Sequence, residues 1–488
     1  MPETEAAPSR GRGLVLAACL MATFMGAVES TIIATAMPTI VADLGGFSLF
    51  SWAFAAYLLP QAVTIPLYGR LADLYGRKPV FYAGCAIFLV GSLLCGLAPS
   101  MPALIVFRAL QGVGAGAIQP TAATILGDIY GPTERGAVQA MVSAVFGVAA
   151  VTGPSLGALL IAHVGWQAVF WVNLPVGVAA IGMLAGFLRE QVSHRRHRLD
   201  LLGAALLTAT GALALVLLQG EGLVMGTWLA LAALTAVLLA WLLRHERRTA
   251  EPMLPLELWR NRIIALGSLG NCAAGALMMA VAAFLPAYVQ GPMQRSPLAG
   301  GLVLGAMSVS WPAASLAAAR FMGRTSYRLT ALLSCLALLA GCAILLLLTP
   351  ARGAWWAAAG SFVLGIGMGG TSTVFIVSIQ AAVPWNQRGA ATSSAMFLRF
   401  AGQSLGVAGA GAAINATILA RDPTAFGAVN RLLDPASRAA LSAGETQHLA
   451  ALVAAGIHNA YWLAAAFGGA ALLLALALPR GLNPTRQQ

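Results

Sequence analysis

Two side chains capable of acid–base chemistry stand inside apolar segments of the sequence. Glu29 lies in AVESTII, within a run from Leu14 to Met37 that is otherwise apolar or small, and Arg108 lies in RALQGVGAGAIQP. A charge at the centre of a bilayer helix costs roughly 3 kcal/mol on insertion scales, so a charged residue in such a segment indicates a function. An enclosed carboxyl favours its neutral form and can release a proton when water or a cation reaches it. That is the chemistry that reversible proton binding requires.

The segments that must position these residues are long enough to cross a bilayer. The 488 residues are 59% hydrophobic and only 9% charged, and the mean hydropathy is +0.81, values typical of an all-α integral membrane protein. The first span carries no cleavage pattern of a signal peptide. We expect 14 transmembrane helices, near residues 13–37, 49–69, 79–98, 103–127, 137–161, 166–188, 201–219, 227–243, 263–288, 297–319, 329–349, 354–380, 389–418 and 457–479.

The basic residues of the loops predict how these helices are oriented. With the amino terminus inside, 21 of the 28 basic residues fall in cytoplasmic loops and 5 fall outside, while Arg108 and Arg399 lie within spans. Because Lys and Arg concentrate on the cytoplasmic side, we predict two cytoplasmic termini and a bacterial-type cytoplasmic (inner) membrane. The net charge of +12 then reflects topology, and no nucleic-acid partner is expected.

Neither a catalytic centre nor a metal site is expected from the reactive residues. The 6 cysteines fall within apolar segments without a CxxC pair, and the 6 histidines fall near segment ends or in loops. This pattern offers no ligand set for zinc and no nucleophile with its base. A membrane-embedded enzyme or a sensor is the alternative from another class, but an enzyme would need catalytic residues that the sequence lacks.

An internal repeat divides the chain into two related halves. Residues 112–153 align without gaps onto residues 365–406 at a constant offset of 253, and a turn of sequence Arg-Gly-Ala recurs at the same place in both. Two homologous bundles that face each other across a central site are a transporter architecture. We predict a six-helix bundle at 1–190, an inserted two-helix hairpin with basic cytoplasmic flanks at 191–262, and a second six-helix bundle at 263–488 with a long external loop at 419–456.

The segment after the second span, GRLADLYGRK, resembles the cytoplasmic loop signature of the major facilitator superfamily. Glycine permits the tight turn, and the aspartate can accept hydrogen bonds from arginines or from a helix amino terminus. The resemblance implies a latch that joins the two halves on the cytoplasmic side when the cavity opens outward. The latch residues are Gly69, Arg70, Asp73, Gly76, Arg77 and Lys78. The counterpart in the second half, RFMGRTSYR, lacks the aspartate.

The fifth span carries VTGPSLGA, which is similar to the antiporter signature of the same superfamily through Gly153, Pro154 and Gly157. Proline permits a bend and the glycines make a groove. With 14 spans and the stretches VESTIIATAMP and GWQAVFWVNLPVG, the chain resembles the fourteen-helix drug:proton antiporter branch along nearly its whole length. This resemblance implies the major facilitator fold and multidrug efflux driven by a proton gradient without a cofactor. We expect the chain to act as a monomer.

The resemblance also suggests roles for the residues within the spans. Glu29 would be the proton-coupling acid, and Arg108 would pair with it in one conformation only. Arg399 would help to close the halves, contact an anionic substrate, or snorkel. Helix ten has no intramembrane acid, which favours amphipathic monocations or neutral lipophilic molecules over dications; export of an endogenous metabolite or organic anion is the alternative. The candidate residues of the substrate cavity are Tyr57, Gln61, Gln111, Gln119, Asn271, Trp311, Phe375 and Arg399.

Overall fold

The computed structural model describes residues 9–479 except 132–133, 189, 191–199, 221–223, 250–251, 254–255, 385–386 and 434. The described residues contain 14 helical segments long and apolar enough to cross a membrane, which confirms the predicted all-α fold. The basic flank at 191–199 lies outside the described residues. The first bundle consists of α1 (Ser9–Leu44), α2 (Phe50–Tyr75), α3 (Arg77–Gly96), α4 (Met101–Ile129), α5 (Arg135–His163), α6 (Ala168–Trp171) and α7 (Asn173–Phe187).

The hairpin and the second bundle follow in the predicted order. The hairpin consists of α8 (Leu201–Leu218) and α9 (Met225–Glu246). The second bundle consists of α10 (Arg262–Ala282), α11 (Leu285–Gln290), α12 (Pro297–Arg324), α13 (Tyr327–Leu346), α14 (Gly353–Ala381), α15 (Arg388–Arg421), α16 (Phe426–Leu433), α17 (Pro435–Arg438) and α18 (Ala443–Leu476).

Short polar side chains begin many of these helices. A helix leaves its first amide groups without partners in the helix, and a side-chain oxygen just before the helix can accept one of them. Satisfying these groups locally matters because lipid offers no hydrogen bonds to the backbone. Such caps precede α4, α8, α10, α12, α13 and α18, at Ser100, Asp200, Asn261, Ser296, Ser326 and Ser442.

The structure corrects the extent of the predicted loop at 419–456. The last long helix begins at Ala443 rather than near residue 457, because Ser442 and Glu445 form a capping box. The Glu445 amide donates to Ser442 Oγ at 3.2 Å, and the Ser442 amide donates to the Glu445 carboxylate at 2.9 Å. Within the remaining connection, α16 reaches the first bundle, where Asn430 Oδ1 accepts a hydrogen bond from the Phe47 amide at 3.1 Å.

The two bundles use their repeated glycines in the same way. On α4, Gly112 packs so closely against α2, and Gly114 against α3, that a Cβ at either position would meet backbone atoms. On α14, the repeat counterparts Gly365 and Gly367 pack in the same manner against α12 and α13. Small residues allow such close approach of helices in membranes. The aligned sequences therefore fold into pseudo-equivalent bundles.

The two bundles meet at one end of the molecule and part at the other. We call the end that holds the α2–α3, α4–α5 and α14–α15 connections the basic end, and the other the opposite end. At the opposite end, Asn415 Nδ2 donates to the Ser48 carbonyl at 2.9 Å and Gln290 Nε2 donates to the Thr35 carbonyl at 3.1 Å. Toward the basic end, a cavity of about 520 Å³ is lined by α1, α4 and α5 of the first bundle and by Met396 of the second. The structure is therefore closed at the opposite end.

Candidate functional site

The structure brings Glu29 and Arg108 together as a buried ion pair. Glu29 on α1 is 0% exposed and Arg108 on α4 is 2% exposed, and the guanidinium Nη1 donates to the Glu29 carboxylate. Both side chains lie inside the first bundle. Removing one partner of such a pair is costly, typically about 3–5 kcal/mol, because it leaves the other charge buried and uncompensated. Substitution of either residue alone would therefore leave an unpaired group in the core of the first bundle.

The guanidinium of Arg108 is held on several sides by α2 and α4. Its Nε donates to the Ala53 carbonyl at 3.1 Å, and its Nη1 also donates to Gln111 Oε1 at 2.6 Å. The Arg108 Cζ atom lies 4.2 Å from the centroid of the Tyr57 ring, within the range of a cation–π interaction. Tyr57 and Gln111, which the sequence suggested for the substrate cavity, thus lie around the ion pair.

Two further residues, Ser92 and Asn173, complete a closed polar network that the sequence analysis did not assign. Asn173 Nδ2 donates to Glu29 Oε2 at 2.7 Å and lies 3.0 Å from Ser92 Oγ. Gln111 Nε2 donates to the same hydroxyl oxygen at 3.1 Å. Both oxygens of the Glu29 carboxyl group thus accept hydrogen bonds from neighbouring side chains. The sequence feature that could have indicated Asn173 is the presence of this amide within the apolar stretch FWVNLPVG of the sixth span.

We predict that Asn173→Ala destabilises the protein by about 1–3 kcal/mol, because it leaves one oxygen of a buried carboxylate without its donor. Thermal unfolding of the purified protein measures this loss. The matched control is Asn415→Ala, since Asn415 is buried like Asn173 and loses an amide hydrogen bond of 2.9 Å to a neutral acceptor, the Ser48 carbonyl. If the two variants lower the melting temperature equally, the loss of a donor to the Glu29 carboxyl group destabilises the protein no more than the loss of an ordinary hydrogen bond.

The cavity between the bundles is of a size suited to a drug-like molecule. Its volume of about 520 Å³ lies within the range of ligand pockets. Most of its wall is apolar, and Gln119, a predicted cavity residue, lies in it. The lining residues are Thr23, Gln119, Pro120, Ala123, Thr124, Leu126, Gly127, Asp128, Val138, Val142, Phe146 and Met396. Thr23 is on the same helix as Glu29, which itself has no exposed surface.

The other predicted cavity residues lie in the second bundle or against it. Phe375 is fully buried and packs against Gly270 within that bundle, and Trp311 is half-buried on α12. Within the described part of the chain, the remaining three residues each have a buried polar atom without a hydrogen-bond partner. These atoms are Gln61 Oε1, Asn271 Nδ2 and Arg399 Nε.

The predicted latch residues tie the α2–α3 turn to neighbouring elements of the chain. Gly76 forms the turn at φ 94°, and Arg77 forms an ion pair with Asp128 at the end of α4. The amides of Arg77 and Lys78 donate to the two carboxylate oxygens of Glu190 at 2.7 and 2.9 Å. A carboxylate at a helix amino terminus is favourable.

Other latch residues have different surroundings. Lys78 Nζ donates to the Ala185 and Leu188 carbonyls at 2.9 Å each, and Arg70 donates to the Pro252 carbonyl beyond the hairpin. Asp73 is exposed, as is Gly69. In this conformation the turn is therefore attached to the first bundle and to the connections of the hairpin.

The predicted antiporter residues join α5 to α1 and to the second bundle. A Cβ at Gly153 would meet Thr31 Oγ1, and one at Gly157 would lie 2.8 Å from Ile32 Cγ1 on α1. Pro154 packs directly against Gly301 on α12. This segment therefore links the helix that carries Glu29 to the closed end of the bundle interface.

Comparisons with known proteins agree on the class of fold and protein. The family model of the Major Facilitator Superfamily matches residues 19–407. "Multidrug resistance protein 3" of Bacillus subtilis is 33% identical, over 83% of this chain and 80% of its own length, and "Multidrug transporter protein MdtP" of the same organism is 31% identical, over 83% and 76%. The structure of a bacterial homologue of the lysosomal transporter Spinster superposes with a TM-score of 0.67 at 14% identity, covering 96% of this chain and 97% of that one.

Proposed function

The chain belongs to the major facilitator superfamily, and from this we propose that it exports hydrophobic or amphipathic small molecules in exchange for protons. The observation that carries the proposal is a buried acid–base pair, Glu29 and Arg108, inside the bundle whose helices also form most of the wall of a cavity of about 520 Å³. The names of the two Bacillus relatives support drugs as the substrate class. The working unit is the monomer in the lipid bilayer of the cytoplasmic membrane.

The basic end faces the cytoplasm in this proposal, because loops rich in Lys and Arg stay on that side. The conformation described here is then open inward and closed outward. A lipophilic molecule enters the cavity of about 520 Å³ from the cytoplasm or the inner leaflet. Separation of the opposite ends of the bundles releases the molecule outside.

The ion pair supplies the link between this motion and the proton. In the inward-open conformation Arg108 and Asn173 both donate to the Glu29 carboxylate, so the charged form is stabilised and the proton has left. In the outward-open conformation the pair separates, and an isolated buried carboxylate then takes up a proton from outside. Return to the inward-open conformation re-forms the pair and releases that proton into the cytoplasm.

The energy of this exchange is sufficient for useful export. One proton moving down a membrane potential of 100 mV gains about 2.3 kcal/mol, before any contribution from a pH difference. Since about 1.4 kcal/mol corresponds to a tenfold ratio, that potential alone supports a roughly 50-fold concentration gradient of a neutral substrate.

The proposal predicts gradient-driven transport by the parent protein. In proteoliposomes that contain the purified protein, we expect an imposed proton gradient to drive uphill movement of ethidium, an amphipathic monocation. We also expect an imposed ethidium gradient to drive protons in the opposite direction. Dye fluorescence and a trapped pH indicator measure the two fluxes together. Ethidium movement that is unaffected by collapse of the proton gradient would contradict antiport.

A further inference from the structure

Arg399 is a charged residue in the second bundle whose charge is not compensated. It lies 11 residues into α15, roughly 16 Å along the helix from the basic end. The Arg399 side chain is half-buried between the surrounding helices. Within the described residues no carboxylate pairs with it, its Nε has no hydrogen-bond partner, and its Cζ lies 5.1 Å from the centroid of the Phe400 ring. An uncompensated charge at this depth is expensive and indicates a function.

The internal repeat indicates which way this position faces. At the constant offset of 253, Arg399 is the counterpart of Phe146 on α5, and Phe146 lines the cavity between the bundles. Met396, three residues before Arg399 on α15, lines the same cavity from the other side. Residues three apart share a helix face. Arg399 therefore lies one helical turn from a residue that lines the cavity, although it is not itself among the lining residues.

The backbone at Arg399 is fixed by close packing. A Cβ at Gly275 on α10 would lie 2.5 Å from the Arg399 carbonyl oxygen and 3.3 Å from its Cγ. The absence of a side chain at Gly275 thus allows the first part of the Arg399 side chain to lie against α10. A charged group held in this way is pre-organised for a ligand, which reduces the cost of ordering it on binding.

Two neutral polar groups on neighbouring helices lie at a similar depth. Asn271 is on α10 and Gln61 is on α2, and both of these helices pack against α15. Asn271 Nδ2 and Gln61 Oε1 are buried without partners among the described residues. Each such group costs about 1–3 kcal/mol when it stays unpaired. A polar group of a bound molecule would offset this cost.

We propose that Arg399, assisted by Asn271, binds the negatively charged group of an amphipathic carboxylic acid, whose apolar part lies against the Phe146 side of the cavity. Arginine suits this role because its planar fork can donate two parallel hydrogen bonds to a carboxylate. The inference rests on the proposed export function and extends its substrates from neutral or cationic molecules to amphipathic organic anions.

Binding to the purified full-length protein in a zwitterionic detergent tests this site without a proton gradient. The probes are 1-pyrenebutanoate and its methyl ester, which differ by the negative charge and one methyl group, and pyrene fluorescence measures their binding. We expect Arg399→Gln to weaken binding of the acid at least tenfold and binding of the ester less than twofold, with Arg399→Lys between parent and Arg399→Gln for the acid. The matched control is Arg421→Gln, at the exposed end of the same helix, which should change neither affinity.

Two results would overturn the inference. Equal losses for acid and ester would mean that Arg399 supports the fold or closes the bundles, and unchanged affinity for the acid would mean that it does not contact the anion. The melting temperature of each variant shows whether the variant is folded, so that a loss of binding is not mistaken for unfolding. Because the assay needs no gradient, loss of proton coupling in the parent would contradict the proposed function and leave this measurement intact.

Discussion

Glu29→Gln is expected to abolish proton-driven efflux while the protein still binds and exchanges its substrate. Glutamine keeps the shape and one acceptor oxygen but cannot release a proton, so the link between the bundle motion and the gradient is lost. We expect the rate of uphill ethidium efflux from proteoliposomes to fall at least 50-fold. Exchange of labelled for unlabelled ethidium at equal concentrations, which needs no proton, should fall by less than threefold.

The control for this variant addresses stability, because Glu29→Gln leaves Arg108 buried without its counter-ion, which costs about 3–5 kcal/mol. The double variant Glu29→Gln/Arg108→Gln removes both charges and should recover much of the melting temperature without recovering coupling. Glu29→Asp retains the carboxyl and should keep a measurable proton flux. Uphill efflux that persists in Glu29→Gln at the parent rate is inconsistent with Glu29 as the proton-coupling acid.

Gly301→Val is expected to stop transport at a different step, by preventing closure of the opposite end. Gly301 on α12 is buried where Pro154 packs, and a Cβ there would overlap Pro154 and lie 3.1 Å from Thr35 Cγ2. A larger side chain must push the two bundles apart at this end. We expect a loss of transport of at least tenfold, because the inward-open conformation requires that contact.

Labelling of the cavity reports the same change directly. A maleimide should react at Met396→Cys more slowly when Gly301→Val is present, since the cavity that Met396 lines would be closed for more of the time. Gly323→Val is the matched control on the same helix, where nothing lies within 4 Å of an added Cβ, and it should leave both transport and labelling unchanged. Equal effects of the two valine substitutions would show that helix propensity, and not the bundle contact, is responsible.

The sequence predicts most of the fold because the relevant signals are local. Long apolar runs give the spans, and the glycines at 112–116 and 365–369 reveal the repeat that the structure realises as equivalent helix contacts. Glu29 and Arg108 stand out because charges are rare in such runs. The sequence SAGE at 442–445 has the serine and glutamate of a capping box, which marks the start of α18. The prediction near residue 457 follows the start of the apolar run instead, and the helix extends beyond that run.

The rest of the site depends on which helix faces meet, and no single stretch of sequence contains that information. Ser92 and Asn173 are neutral polar residues on α3 and α7, of a kind that often bonds only within its own helix, and their convergence on Glu29 requires the packed bundle. Glu190 and Arg77 are likewise distant in sequence. The closure of the opposite end belongs to one conformation of the protein. A single sequence encodes several conformations, so the sequence alone does not indicate which of them the structure adopts.

The most direct test of the central claim is the number of protons that move for each ethidium molecule exported. Proteoliposomes that contain the purified protein receive an imposed pH gradient, while dye fluorescence and a trapped pH indicator record the two fluxes together. The account predicts about one proton per exported ethidium with the parent protein and no coupled proton movement with Glu29→Gln. Equal proton movement with both proteins, or export of ethidium by the parent without proton movement, would contradict the claim that Glu29 carries the proton that is exchanged for the substrate.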